Sequence, residues 1–98
     1  MNFSINSTVT VLDPKIKERK YPEAKIIVLD DNFNTFEHVA NSLFTIIPGI
    51  SEKRSWDFAV EVDSEGSAEV WRGPIEQAEL YHQQLIRKGL TMAPLEKI

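Results

Sequence analysis

Three consecutive polar residues, Asp30, Asp31 and Asn32, directly follow a short apolar run and give the clearest sign of chemistry in this chain. Two carboxylates and an amide supply acceptors for the hydrogen bonds of a cation. An ammonium group placed beside them is stabilised in its charged form, because carboxylates favour a nearby positive charge. We call these three residues the acidic elbow and expect it to bind a cationic group.

The acidic elbow lies between a predicted strand and a predicted helix. Residues 26–29 form a run of β-branched and apolar side chains that is typical of a buried strand. Asn34, followed three residues later by Glu37, has the spacing of a capping box and predicts that a helix begins there. Two rigid elements would then hold the carboxylates in one orientation.

Two helices are predicted after the elbow. The first ends at Pro48-Gly49, and the second is capped by Ser51 and ends at Gly66. Apolar spacing predicts the inward residues of the first helix as Phe36, Val39, Ala40, Leu43, Phe44 and Ile47. The inward residues predicted for the second helix are Trp56, Phe58, Ala59 and Val60.

The remaining sequence predicts a strand, a helix and a last strand. Residues 67–72 are rich in strand formers, Pro74 marks the start of the third helix, and Gly89 marks its end. Residues 90–95 can form an edge strand, since Pro94 lacks an N–H group. The predicted inward residues of the third helix are Ile75, Ala78, Leu85 and either Tyr81 or His82.

This order, β-α-α-β-α-β, indicates an α+β fold in which three helices pack on one face of a three-stranded antiparallel sheet. The 98 residues suffice for one domain, which we place at residues 23–98. Residues 1–22 are polar, with a charge run at 15–20, and are expected to form a flexible N-terminal arm.

Composition narrows the classes of function. The chain contains no cysteine, which fits a reducing compartment, and a net charge of −4 argues against nucleic-acid binding. The sequence shows no signal peptide and no membrane-spanning run, so a cytoplasmic protein is expected. No metal, cofactor or enzyme activity is predicted, because His38 and His82 lie on separate helices and no nucleophile elbow or phosphate-binding loop occurs.

Over about residues 24–97 the chain resembles the ClpS-type adaptors of the Clp protease. The resemblance lies in the run DDNFNTFEHV at residues 30–39, Gly66-Ser67-Ala68, Ala78-Glu79 and the closing Leu95-Glu96-Lys97. Residues 78–96 resemble the cyanobacterial and plastid branch of that family.

The resemblance implies a non-enzymatic adaptor of protein degradation. Such adaptors bind the bulky hydrophobic N-terminal residue of a substrate protein, called an N-degron, and deliver the substrate to a Clp AAA+ unfoldase. The implied partners are a ClpA- or ClpC-like unfoldase and N-degron substrates. A monomer that binds neither nucleic acid nor membrane is expected.

Positional matching to the family also implies the site residues. An Asn and an Asp at the strand exit and a His at the end of the second helix bind the α-amino group in the family. Asp30, Asp31 and Asp63 stand at those positions, and Asn32 stands where a second Asp is common. The residues matched to the hydrophobic pocket are Asn34, Phe36, Val39, Ala59, Val62 and Thr91.

Several positions depart from the family pattern, among them Asp30 where Asn is usual and Asn34 where Thr is common. Asp63 replaces the His, Thr91 replaces an apolar residue, and Phe36 replaces the Met that usually gates the pocket. A regulatory module that docks a Clp ATPase with an altered or lost pocket is therefore a second hypothesis. A metal-dependent hydrolase built on the acidic elbow is a third. Replacement of Asp31 by Ala is expected to remove most of the peptide affinity and to leave folding intact.

Overall fold

A computed structural model describes residues 22–98, which form a three-stranded antiparallel sheet covered on one face by three helices. The fold class and element order predicted from the sequence are confirmed. The predicted arm, residues 1–22, lies outside the described residues except for Pro22. The elements are β1 (Glu23–Leu29), α1 (Phe36–Ile46), α2 (Glu52–Glu65), β2 (Ser67–Pro74), α3 (Ile75–Arg87) and β3 (Glu96–Lys97).

The strand β1 lies in the middle of the sheet, in the order β2-β1-β3. Side chains alternate between the two faces of a strand, and Ala24, Ile26 and Val28 of β1 are buried against the helices. The pairing of β1 with β2 shifts register between Ile26 and Ile27. The acidic elbow therefore leaves the sheet from its central strand.

The last strand is later and shorter than predicted. Residues 90–95 were expected to form it, whereas the ladder with β1 forms at Glu96–Lys97, after a single bridge between Val28 and Met92. Pro94 explains the interruption, because proline has no N–H group to donate to a ladder.

The segment from residue 91 onward nevertheless follows β1. Leu29 N donates to Thr91 O at 2.8 Å, and Ala93 N donates to Ile27 O at 3.0 Å. Ile98 N donates to Glu23 O at 2.9 Å. The carboxyl-terminal segment is thus fixed beside the strand that leads into the acidic elbow.

The helix α1 begins one residue later than the capping-box spacing predicts. Its N-cap is Thr35, whose hydroxyl accepts a hydrogen bond from His38 N at 3.0 Å, so the prediction of Asn34 as the cap is wrong. The Asn34 side chain instead donates to Asp31 and to Gly89 O. These two hydrogen bonds orient the Asn34 side chain toward Asp31 and the turn after α3, and Thr35 caps the helix.

The inward faces of α1 and α2 are narrower than predicted. Phe36 and Phe44 of α1 are 40% and 45% exposed, and Trp56 and Val60 of α2 are 43% and 42% exposed, so these four are not core residues. Trp56 and Val60 are four residues apart and share a stripe beside the buried one. The buried residues of the two helices are Val39, Ala40, Ser42, Leu43, Ser55, Phe58, Ala59 and Val62.

Both ends of α2 are as predicted. Ser51 is the N-cap and accepts from Arg54 N at 3.0 Å. Gly66 ends the helix at φ 90°, a left-handed conformation that glycine adopts without a Cβ clash. In α3, Ala78 and Leu85 are buried as expected, while Tyr81 and His82 are both half-buried.

Candidate functional site

The Asp31 carboxylate is the best-satisfied group of the acidic elbow. Its Oδ1 accepts from the backbone N–H groups of Phe33 and Asn34, both at 2.8 Å. Its Oδ2 accepts from Asn34 Nδ2 at 2.6 Å and from Thr91 Oγ1 at 2.7 Å. A carboxylate offers about four lone-pair sites, so these donors occupy all of them.

These hydrogen bonds lower the pKa of the Asp31 carboxyl well below its usual range. The largest cause is the backbone N–H of Asn34, followed by the Thr91 hydroxyl, and partial burial opposes them. Asp31 is therefore a fixed negative charge at neutral pH, oriented by its own donors and without a spare acceptor site.

The turn after α3 is bonded to the start of α1. Asn34 Nδ2 donates to Gly89 O at 3.1 Å, and His38 Nε2 lies 2.7 Å from Lys88 O. His38 Nε2 is the donor in this hydrogen bond, because the Lys88 carbonyl oxygen can only accept. With the Thr91 hydrogen bond to Asp31, these contacts join the acidic elbow and the start of α1 to residues 88–91.

An open cavity of about 320 Å³ lies between the acidic elbow, the start of α1 and the end of α2. Asp30 is fixed at its edge because Asp30 N donates to Gly66 O at 3.0 Å, which joins the elbow to the end of α2. Eight of the ten residues predicted for the site line this cavity: Asp30, Asp31, Asn34, Phe36, Val39, Ala59, Val62 and Asp63. We call it the elbow cavity.

The other two predicted residues lie elsewhere. Asn32 is exposed and does not line the elbow cavity. Thr91 lines a small adjoining cavity of about 10 Å³, which shares Asp31, Val39 and Val62 with the elbow cavity. Thr91 therefore acts on the site through its hydrogen bond to the Asp31 carboxylate and does not line the elbow cavity.

Sequence reasoning missed two lining residues, Thr35 and Glu37. Both are next to Phe36 in the sequence, Thr35 as the N-cap and Glu37 in the first turn of α1. The incorrect cap assignment hid Thr35, because it placed the helix start one residue too early.

The elbow cavity combines an apolar floor with an acidic rim. Val39, Ala59 and Val62 are buried and form the floor. Across the part of the chain that the structure describes, no hydrogen bond or ion pair engages the side chains of Asp30 and Asp63 at the rim. This arrangement can hold a ligand whose apolar group is next to a cationic one.

Phe36 lies at the mouth of the elbow cavity and not in the core. Its ring packs against Trp56 of α2, with centroids 5.8 Å apart and planes tilted by 55°. Such a pair stabilises the position of both rings while leaving each partly in solvent.

Residues 22–98 contain no membrane-spanning helix and no cluster of metal ligands. No helix in this range is long and apolar enough to cross a bilayer. Nor do any three His, Cys, Asp or Glu side chains of the range cluster as metal ligands would.

Comparison with protein families matches residues 19–96 to the family described as "ATP-dependent Clp protease adaptor protein ClpS". The chain belongs to the ClpS family of Clp protease adaptors. Members of the ClpS family are adaptors and not enzymes, so the adaptor class predicted from the sequence is confirmed.

Three cyanobacterial ClpS adapter proteins resemble the chain over most of their length. The one from Synechocystis sp. is 58% identical over 79 residues, which cover 81% of each chain. The one from Thermosynechococcus vestitus is 55% identical over 82 residues, 84% of this chain and 87% of the relative. The one from Nostoc sp. is 59% identical over 78 residues, 80% of each. These identities confirm the cyanobacterial branch of the ClpS family.

Proposed function

We propose that this ClpS-family adaptor binds proteins through a bulky hydrophobic N-terminal residue and delivers them to a Clp AAA+ unfoldase. The observation that carries the proposal is the pairing of an apolar floor with two unengaged carboxylates, Asp30 and Asp63, at one cavity. An N-terminal residue is the one place in a protein where a side chain and an ammonium group share a single carbon atom.

The ammonium group is recognised by the acidic rim. An α-amino group has a pKa of roughly 7.7 to 8.0 and is mostly protonated at neutral pH. Asp30 and Asp63 supply the direct acceptors for its three N–H donors. Asp31 supplies negative charge and fixes the elbow, since its own acceptor sites are occupied. Asn32 remains in the proposed set as an exposed amide on the outer side of the elbow.

The first side chain enters the elbow cavity and replaces water on Val39, Ala59 and Val62. Complete burial of a Phe or Leu side chain contributes about 1.5 to 3 kcal/mol. Phe36 closes one side of the mouth, and Asn34 contributes a polar edge. The apolar floor selects a hydrophobic side chain, while the rim requires a free amino group.

The proposed partner is a ClpA- or ClpC-like unfoldase, with the adaptor acting as a cytoplasmic monomer. Degradation of a reporter that begins with Phe, by a purified ClpC-type unfoldase and its protease, tests this delivery. The proposal expects degradation to require the adaptor and a free amino-terminal Phe.

Binding is tested with a fluorescent peptide that begins with Phe and with its N-acetylated form. Acetylation is expected to weaken binding about 10- to 100-fold, because hydrogen bonds to a charged group contribute about 1.5 to 3 kcal/mol. Asp63→Asn should weaken binding of the free peptide alone. Asp57→Asn is the matched control, since Asp57 is on the same helix, pairs with Lys53 and does not line the elbow cavity. Equal binding of free and acetylated peptides would contradict the proposal.

The occupied Asp31 carboxylate favours one alternative, a Clp ATPase-docking regulatory module with an altered or lost N-degron pocket. Thr91 donates the hydrogen bond that fills the last acceptor site, at a position where the family usually has an apolar residue. The module would bind the unfoldase but would bind neither the free nor the N-acetylated Phe peptide. The acetylation experiment therefore separates the two functions.

A further inference from the structure

A second groove lies between α1 and α2, next to the elbow cavity. Its volume is about 220 Å³. Phe44 and Trp56 are the exposed aromatic residues that line it, and its two carboxylates are on Glu37 and Glu52. Ala40 and Asn41 of α1 also line it. We call this the interhelix groove.

The chemistry of the interhelix groove matches a long basic side chain. Among residues 22–98, no basic residue lines it, and neither Glu37 nor Glu52 forms a side-chain hydrogen bond or an ion pair. The face of Trp56 attracts a guanidinium or ammonium group, and the two aromatic rings offer a surface for the alkyl stem. An Arg or Lys side chain satisfies both features at once.

The interhelix groove is continuous with the elbow cavity. Glu37 lines both, and the Phe36 ring at the cavity mouth packs against Trp56 of the groove at 5.8 Å. A ligand chain leaving the elbow cavity along the helix pair crosses these two rings directly.

The geometry of α2 sets the distance between the elbow cavity and the interhelix groove. Asp63 at the cavity rim and Trp56 in the groove are seven residues apart in α2, which corresponds to about 10 Å along the axis. An extended chain advances about 3.3 Å per residue. Three residues beyond the first therefore span the gap, which places the fourth residue of the ligand at the groove.

We propose that the interhelix groove is a second subsite, which binds an Arg or Lys side chain at the fourth residue of an N-degron substrate. This inference rests on the proposed function, because it needs the first residue to be held in the elbow cavity. The substrate class is then defined by two features, a hydrophobic first residue and a basic residue three positions later.

The test uses peptides that begin with Phe and carry Arg, Ala or Glu at the fourth position, measured by fluorescence anisotropy. The Arg peptide is expected to bind about fivefold more tightly than the Ala peptide, from one cation–π contact and one exposed ion pair. The Glu peptide should bind more weakly than the Ala peptide. Moving Arg to the second or sixth position should remove most of the gain.

The variant Glu52→Gln isolates the groove, since Glu52 does not line the elbow cavity. It should reduce the Arg preference to about twofold or less and leave the affinity for the Ala peptide unchanged. Glu61→Gln is the matched control, because Glu61 is exposed on the same helix and lines neither site. That control should keep the full preference.

The outcomes distinguish the two proposals. If binding requires a free amino group but Arg and Ala peptides bind equally, the second subsite is overturned and the proposed function stands. An equal gain from Arg at every position would indicate long-range attraction to a protein of net charge −4 and would also overturn the subsite. Indifference to acetylation would overturn the proposed function, and the subsite would fall with it.

Discussion

The Thr91 hydroxyl donates a 2.7 Å hydrogen bond to Asp31 Oδ2 across sixty residues of sequence. With Asn34, which bonds both Asp31 and Gly89 O, it joins the acidic elbow to the segment after α3. The orientation of the elbow therefore depends on residues near the carboxyl-terminal end of the domain.

Thr91→Val should lower the free energy of unfolding by about 1 kcal/mol, because it removes one donor to a charged acceptor at a partly exposed site. Urea denaturation measures the change. Thr45→Val is the control, since the Thr45 hydroxyl donates to Asn41 O within α1 and is far from Asp31 in the fold. Equal effects of the two substitutions would mean that the Thr91 bond contributes nothing specific.

Asp31→Ala should lower both stability and peptide affinity. The sequence alone predicts an intact fold for this variant, but the four hydrogen bonds to the carboxylate change that expectation. Loss of the carboxylate leaves the Asn34 and Phe33 donors without their acceptor. Thermal melting and peptide titration, run side by side, check both effects. A variant that melts like the wild type would show that water replaces the carboxylate at little cost.

Acid should destabilise the fold through Asp31. The pKa of this carboxyl is lower in the folded protein than in the unfolded chain, so its contribution is complete above the unfolded value of about 3.9. The contribution is lost as pH falls toward the folded pKa. The stability difference between the wild type and Asp31→Asn should therefore shrink below about pH 4.

Both proteins in this comparison should carry Glu69→Gln. The pKa of Glu69 is also lowered, chiefly by hydrogen bonds from the Arg72 guanidinium, and would add its own acid dependence. Urea midpoints from pH 7 to acid give the measurement. A difference that stays constant over the whole range would remove Asp31 from the acid response.

Phe36→Ala should relax the preference among hydrophobic first residues. The ring is rigid and lies at the cavity mouth, so it should disfavour side chains branched at Cβ, and Phe and Leu peptides should bind more tightly than Ile and Val peptides. Removing the ring opens space beside the ligand backbone and should improve Ile and Val binding. Affinities for the four peptides on both proteins give the answer.

Stability separates this gate role from a core role. A core Phe→Ala substitution costs about 3 to 5 kcal/mol, whereas loss of the exposed Phe36–Trp56 pair should cost about 1 kcal/mol. Phe33→Ala is the control, because Phe33 is 90% exposed and does not line the cavity. An unchanged peptide ranking with a large loss of stability would return Phe36 to a purely structural role.

Deletion of residues 1–20 should leave peptide affinity unchanged and the thermal midpoint within about 2 °C of the wild type. Within residues 22–98, the buried core residues run from Ala24 to Leu90, and Pro22 O, which accepts from Ile75 N, is retained. The deletion is expected to impair transfer of substrate to the unfoldase, as a reporter degradation assay would show. Degradation at the full rate would exclude the arm from delivery.

Local patterns predicted the parts of the fold that are locally determined. Ser51 and Gly66 were identified as the ends of α2 because a cap and a left-handed glycine are properties of a few adjacent residues. The site positions came from resemblance to the ClpS family, and the structure brings eight of the ten to one cavity. Their roles in binding stay predictions.

The errors arose where distant residues decide the outcome. Asn34 has the local features of a cap, but its amide donates to Gly89 O, 55 residues away, as well as to the nearby Asp31. Trp56 is apolar enough for the core, yet the buried stripe of α2 runs through Ser55, Ala59 and Val62 instead. The support of Asp31 by Thr91 was not predictable, since no local pattern joins two residues sixty positions apart.

The backbone hydrogen bond from Ile98 N to Glu23 O has a practical consequence for protein engineering. Because residues 23 and 98 lie side by side, a short flexible linker could join them in a variant without residues 1–22, and new chain ends could be opened at the exposed Pro48-Gly49 turn between α1 and α2. Such a circular permutant would keep every strand pairing of the sheet. Both of its chain ends would lie at the turn between α1 and α2. It offers a way to attach reporters without lengthening either end of the native sheet.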